Sequence, residues 1–171
     1  SVAYHNLDIL IPELFESGRN PLILLLDGVT DVRNFGAISR TAECAGVDAI
    51  VIPERGSVSV NGDAVKTSAG ALLHLPVARV ANLNRTIKDS GFTIVGATEK
   101  SSQNYTTFDF TSPVAIVMGA EETGINPENL RLCDCLASIP MRGKVNSLNV
   151  SVAAVIMIYE VIRQRMLADA L

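Results

Sequence analysis

PLILLLDGVTDVRNFGAISRTAECAG, residues Pro21 to Gly46, joins three patterns without a break. Leu22 to Leu26 is apolar at every position, so a strand formed here needs cover on both faces. Asp27 to Asp31 is a short polar loop containing Gly28. Beyond it Ile38, Ala42 and Ala45 share one face at helical spacing, and Gly46 suits the end of that helix. A strand buried on both sides and followed directly by an amphipathic helix is the unit from which parallel α/β sheets are built.

The pattern repeats along the chain. Short β-branched or Leu-rich runs predict further strands at Ala49 to Ile52, Val77 to Val80, Phe92 to Val95, Val114 to Met118 and Leu136 to Ile139. Asn82 and Gly91 bracket a second helix as cap and stop. Asn126-Pro127-Glu128 reads as cap, first helical residue and an acid matched to the helix dipole, and a long closing helix is expected from Asn149 to Leu167. The fold class is α/β: a mainly parallel sheet with helices on both faces. Residues 1–20, with Pro12 and Gly18, read as a peripheral segment or connector, and residues 21–171 as the domain proper.

Composition narrows the function classes. The 171 residues carry 14 Lys and Arg against 18 Asp and Glu, a net charge of −4, and 48% are hydrophobic, which excludes a disordered chain and leaves apolar surface for an oligomer interface as well as a core. The longest purely apolar run, Val152 to Ile158, is far short of the roughly 20 residues that cross a bilayer. The amino terminus lacks the basic, apolar and small-residue succession of a secretory signal, so a cytoplasmic location is expected. A start at Ser1 rather than Met fits a trimmed or processed piece with room for a domain upstream. Cys44, Cys133 and Cys135 are odd in number and fit buried reduced thiols better than a disulfide framework. His5 and His74 lie in no ligand-like cluster, so zinc hydrolysis and Ser-His-Asp chemistry have no raw material, and no metal is expected.

Ligands of parallel α/β sheets collect at the carboxyl ends of strands, and three of those ends are unusual here. After the first strand, Asn34, Gly36 and Arg40 stand in the spacing N-x-G-x-x-x-R. Asn34 reads equally as the cap of the following helix, and Arg40 lies about 600° of helical rotation further on at roughly 100° per residue, on a different face. After the strand Val114 to Met118 comes Gly119-Ala-Glu121-Glu122-Thr-Gly124. Its glycines have the separation of a phosphate loop, yet no Lys-Ser or Lys-Thr follows, and two adjacent acids oppose a pyrophosphate while tolerating a cationic ligand or a ribose. The third segment, Ile139 to Ser151, crowds Arg142, Lys144, Asn146, Ser147 and Asn149 ahead of the closing helix, where a phosphate is accommodated as readily as a simple cap.

LDGVTDVRNFGAISRTAECAG, IVMGAEETGI and IPMRGKVNSLNVSVA, in this order, resemble the three signature motifs of the SpoU family of RNA ribose 2′-O-methyltransferases, within the SPOUT superfamily. The likeness runs from about Pro21 onward and is greatest to the enzymes that methylate a guanosine of large-subunit (23S) ribosomal RNA, with tRNA guanosine enzymes close behind. The resemblance implies a carboxyl-terminal trefoil knot, S-adenosylmethionine as cofactor, RNA as substrate and a homodimer with the active site near its interface. It implies catalytic roles for Asn34, Arg40, Glu121, Ser147 and Asn149. It also implies cofactor contacts, largely through backbone, at Gly119, Ile139, Met141 and Leu148, with Thr98 nearby.

The implied chemistry needs little beyond alignment of a ribose hydroxyl, because a sulfonium methyl is already activated. Arg40 suits phosphate clamping and alkoxide stabilisation better than proton abstraction, since a guanidinium has a pKa of about 12 or more. Glu122 and Thr123 depart from the glycine and basic residue of many relatives, making the second loop more acidic. With a net charge of −4, weak RNA binding is expected from this chain alone, carried by Arg33, Arg40, Lys66, Arg142 and Lys144. Three alternatives compete. An NAD-type dehydrogenase lacks its G-x-G-x-x-G, a catalytically silent RNA-binding relative has no need of the five polar motif residues, and a dimeric scaffold leaves the polar loops unexplained.

Overall fold

The computed structural model describes residues 3–85, 88 and 90–170. In chain order the elements are α1 (Leu7–Glu16), β1 (Leu22–Asp27), α2 (Val32–Cys44), β2 (Ala49–Pro53), α3 (Gly62–Thr67), β3 (Val77–Val80), β4 (Thr93–Ala97), β5 (Val114–Gly119), α4 (Pro127–Leu132), β6 (Cys135–Ala137) and α5 (Val150–Asp169), with short 3₁₀ turns at Ala71–Leu73 and Tyr105–Thr107. Among the described residues six strands form one parallel sheet in the order β3-β2-β1-β5-β4-β6. All six predicted strands are present, with β4 and β6 displaced by one or two residues. The predicted helix between Asn82 and Gly91 falls partly on residues 86, 87 and 89, outside the described residues, and residues 83–85 form a turn.

Alternation along β1 explains the two-sided burial. Leu22, Leu24 and Leu26 join one cluster with Phe35, Ile38 and Ala42 of α2 and Ala154, Met157, Ile158 and Val161 of α5. Ile23 and Leu25 point the other way, into a cluster with Leu7, Leu10, Ile11 and Leu14 of α1. Each of these β1 leucines contributes roughly 1.5–3 kcal/mol through burial. Residues 7–16, expected to be peripheral, thus form a helix that covers one face of the sheet. Just before it, the His5 amide donates to the Val77 carbonyl at 2.8 Å along the β3 edge.

Gly36 lies inside α2, where a Cβ would come 2.3 Å from Thr67 Oγ1, so its absent side chain lets α2 and α3 pack closely. The expectation of three buried thiols needs correction at Cys44, which ends α2 on its solvent side and is exposed. Cys133 and Cys135 are half-buried, and burial pushes the Cys133 thiol up to about 12. No helix among the described residues is long and apolar enough to cross a membrane.

The order of strands reverses between β1 and β5. From β1 the chain steps outward to β2 and β3, then crosses back to place β4 beyond β5. Asp27 and Gly119, the last residues of β1 and β5, are register partners at this parting line. A crevice at the carboxyl edge of such a reversal is where open α/β sheets bind ligands.

Candidate functional site

Three chain segments meet at the carboxyl ends of β4, β5 and β6. After β5 the loop closes on itself: the Ala120 amide donates to the Gly124 carbonyl at 3.2 Å and the Gly124 amide returns to Ala120 at 2.8 Å. A Cβ on Gly119 would lie 2.2 Å from the Gly124 carbonyl carbon, so this tight turn requires glycine there. Beyond β4, the Thr98 amide donates to Ala137 at 2.9 Å, and the chain passes along the far side of β6, exchanging backbone hydrogen bonds with Ser138 from Gln103 and Tyr105. β6 is therefore held on both flanks, and the strand leads into residues 139–149 above the sheet.

These segments enclose a cavity of about 290 Å³ on the α5 face of the sheet. Thr98, Gly119, Ile139, Met141 and Leu148 all line it, as do Glu121 and Ser147. Asn149 stands one hydrogen bond away. As the cap of α5, its Oδ1 accepts the amides of Ser151 at 2.9 Å and Val152 at 3.4 Å. Its Nδ2 donates to Glu121 Oε1 at 2.7 Å and to Asn34 Oδ1 at 3.2 Å. One asparagine thus ties all three motif segments together.

Asn34 reaches this junction because it does not cap α2. Asp31 does so instead, its Oδ1 accepting the Arg33 and Asn34 amides at 2.8 and 3.0 Å. Asn34 is left in the first helical turn with its side chain turned toward Asn149, so the cap reading of Asn34 is corrected. Arg40 is exposed near the carboxyl end of α2, does not line the cavity and makes no hydrogen bond or ion pair among the described residues. Sequence reasoning missed Glu99 and Lys100, which also line the cavity. Their signal was available: they directly follow Thr98 at a strand's carboxyl end.

Chemically the cavity combines open backbone at Gly119, apolar walls from Met118, Ile139, Met141 and Leu148, and carboxylates from Glu99, Glu121 and Glu122 against the single ammonium of Lys100. Acids in excess favour a ligand carrying positive charge, and the apolar walls suit a flat ring. Among the described residues no cluster of three or more His, Cys, Asp or Glu has the arrangement to hold a metal ion.

A parallel α/β domain with a polar-rimmed cavity at the carboxyl ends of its strands, beside the reversal in strand order, has the arrangement in which open α/β sheets bind ligands. The model of the SpoU rRNA Methylase family matches residues 21–159, and the chain belongs to that family. It is 42% identical over 158 residues to the 23S rRNA (guanosine-2'-O-)-methyltransferase RlmB of Haemophilus ducreyi, covering 90% of this chain and 64% of that one. Its fold matches the AdoMet-bound rRNA methyltransferase of Sinorhizobium meliloti with a TM-score of 0.85 at 30% identity, covering 94% of this chain and 61% of the other. The TrmH/SpoU tRNA modifying enzyme of A. aeolicus matches with a TM-score of 0.80 at 32% identity, covering 95% and 86%. The chain thus spans a little under two thirds of the length of the RlmB relative.

Proposed function

We propose that this chain transfers a methyl group from S-adenosylmethionine to a ribose 2′-hydroxyl of RNA, with a guanosine of 23S rRNA as the first candidate and a tRNA guanosine as the second. The observation that carries the reading is the Asn34–Asn149–Glu121 hydrogen-bond chain at the edge of a cavity lined by Thr98, Gly119, Ile139, Met141 and Leu148. The family match and the similarity to RlmB support the RNA class.

The residues present fit S-adenosylmethionine: a glycine backbone open to close approach, apolar walls for a purine and acids for a sulfonium. When bound, the cofactor supplies an activated methyl group. Glu121 accepts from Asn149 and keeps its amide turned toward the cavity edge, while Asn34 and Ser147 supply polar groups that orient the ribose and its phosphate. Arg40, permanently charged, clamps an RNA phosphate and steadies the oxygen as it loses its proton.

Within one chain Arg40 stands apart from the cavity, which supports completion of the site by a second copy. Val152, Val155 and Tyr159 of α5 are exposed by 46, 37 and 46%, an apolar stripe at helical spacing that a homodimer would cover. The loop that runs along the far side of β6 supports the knotted threading expected from the resemblance.

Calorimetry with S-adenosylhomocysteine and methyl transfer to 23S rRNA and tRNA transcripts, with the methylated nucleotide mapped, test the proposal. Binding together with a 2′-O-methyl on a single guanosine is expected, and absence of both overturns it. Replacing Arg40 by Lys is expected to slow turnover by about tenfold through loss of bidentate phosphate contact; near-normal turnover would remove Arg40 from its clamping role. RNA binding by the chain alone is expected to be weak and to fall steeply with salt.

A further inference from the structure

A second hollow opens where the other half of the sheet ends, above β1, β2 and β3. Its volume is about 320 Å³, at the small end of the roughly 300–1,000 Å³ typical of ligand sites. It lies on the α1 and α4 side of the sheet, whereas the first cavity lies on the α5 side. The two are close neighbours. Asp27 lines the second and its register partner Gly119 lines the first, on strands about 4.8 Å apart. Gly28 of the second approaches Ala120 of the first so closely that a Cβ would sit 3.3 Å from the alanine methyl.

Its polar groups are built in rather than loose. Asp27 Oδ2 accepts the Asn126 amide at 2.8 Å and Asn129 Nδ2 at 2.8 Å. Asn129 Oδ1 in turn accepts Asn84 Nδ2 at 2.6 Å. A carboxylate offers about four acceptor sites, so Asp27 retains capacity for a ligand. Arg55, beyond the end of β2, also lines the hollow, stands exposed and makes no hydrogen bond or ion pair among the described residues. The remaining lining includes the small or apolar residues Gly28, Pro53, Gly56, Ala81 and Leu83.

This chemistry selects the ligand. Asp27 and Glu128 together outweigh Arg55, so a phosphate meets net repulsion. A neutral planar ring with adjacent donors and acceptors finds both a carboxylate and a guanidinium in the lining. Guanine matches: its N1–H and N2–H donate to Asp27, while O6 and N7 accept from Arg55. Single-stranded RNA presents bases unstacked in this manner, and shallow pockets with Arg planes receive them.

We propose that this hollow is a base pocket for the nucleotide next to the methylated one, with guanine as its preferred occupant. The inference rests on the RNA-methylation reading, because it assigns to the second hollow a neighbour of the ribose presented at the first. It gives the segment from the end of β1 into the first turn of α2 two duties, with Asp27 and Gly28 serving the flanking base and Asn34 the reacting sugar.

Side-chain amide NMR of the full chain, saturated with S-adenosylhomocysteine and titrated with each of the four nucleoside 5′-monophosphates, tests it. Guanosine monophosphate is expected to shift the amides of Asn84 and Asn129 and to bind more tightly than the other three. Arg55→Ala is expected to weaken it roughly tenfold, the loss of one charge-assisted hydrogen-bond pair, without altering S-adenosylhomocysteine affinity. Arg55 is exposed, so its removal leaves folding intact, and Glu128→Gln, which eases repulsion at the rim, is expected to preserve or tighten binding. Equal binding of all four nucleotides, competition with S-adenosylhomocysteine, or indifference to Arg55→Ala overturns the pocket. If guanosine monophosphate shifts Asn84 but S-adenosylhomocysteine does not bind, the methyl-transfer reading fails while the pocket stands; if methyl transfer proceeds and Asn84 stays silent, the reverse holds.

Discussion

The two ends of α5 are fastened by different means. At its carboxyl end, Gln164 Nε2 donates to the Phe108 carbonyl at 2.9 Å while its Oε1 accepts the Phe110 amide at 2.7 Å. The Arg165 guanidinium donates to the carbonyls of Asn20, Pro21, Phe110 and Ser112 at 2.6–3.2 Å, locking the loops at the amino ends of β1 and β5. At the amino end one exposed side chain, Asn149, does most of the work, reaching Glu121 and Asn34. The end far from the cavity ties backbone carbonyls of the neighbouring loops with a guanidinium and an amide; the end beside it uses side-chain amides that a ligand can displace. Stability is thereby concentrated away from the site, and the site is left free to rearrange.

The largest expected effect lies at the locked end. Arg165→Ala removes the four hydrogen bonds that tie α5 to the loops before β1 and β5 and should cost about 3 kcal/mol of unfolding free energy, measured by denaturant titration. Affinity for S-adenosylhomocysteine, measured where the variant is folded, should be unchanged. A loss of affinity equal to the loss of stability would show that the two ends are not independent.

Next comes the floor of the cavity. Gly119→Ala sets a methyl 2.2 Å from the Gly124 backbone, which cannot yield without opening the Ala120–Gly124 turn. S-adenosylhomocysteine affinity should fall by at least roughly tenfold, or 1.4 kcal/mol, with circular dichroism unchanged. Retained affinity would mean that this turn does not shape the cofactor cavity.

The contrast also explains what could be read from the residues alone. The strands were legible because burial on both faces leaves near-continuous apolar runs, as in Leu22 to Leu26. Asn149 was legible as a helix start from capping chemistry, and the motif resemblance supplied the cavity lining. The cap of α2 was not, because Asp31 and Asn34 are both good caps and only the packed helix shows which is used. The apolar spacing of Leu7, Leu10, Ile11 and Leu14 in α1 was present in the sequence, but Pro12 inside the helix hid it. Gly36 looked like part of a binding motif and serves helix packing against Thr67, thirty-one positions further along. The second hollow depends on which strand ends become neighbours, information held by the order β3-β2-β1-β5-β4-β6 and by no local pattern.

Asn149 allows stability and function to be separated at a single atom. Asn149→Asp keeps the oxygen that caps α5 but replaces the donor to Glu121 with a second carboxylate oxygen, so the link becomes repulsive. The melting temperature should change little while methyl transfer falls roughly tenfold, about the worth of one charge-assisted hydrogen bond. Asn149→Ala removes both roles and should add a stability loss of about 1 kcal/mol. Equal stability losses in the two variants would mean that the tie to Glu121, not the cap, holds the helix end.

The smallest effect belongs to Glu160, buried at the locked end and paired with Arg163 at 2.6 Å. The hydrogen bond from Arg163 holds its carboxyl below the ordinary value of 4.5, outweighing burial. The unfolded chain therefore takes up a proton at a higher pH than the folded chain does, so the contribution to stability is complete above about pH 4.5 and is lost as the pH falls toward the lowered folded value. Glu160→Gln should lower the melting temperature slightly at pH 7, and the difference from the parent should shrink below pH 4.5. Because Arg163 is more than half exposed, solvent screens the pair and the effect stays small. A difference that grows on acidification would mean that burial dominates at Glu160 and that the carboxyl end of α5 owes its strength to Arg165 and Gln164 alone.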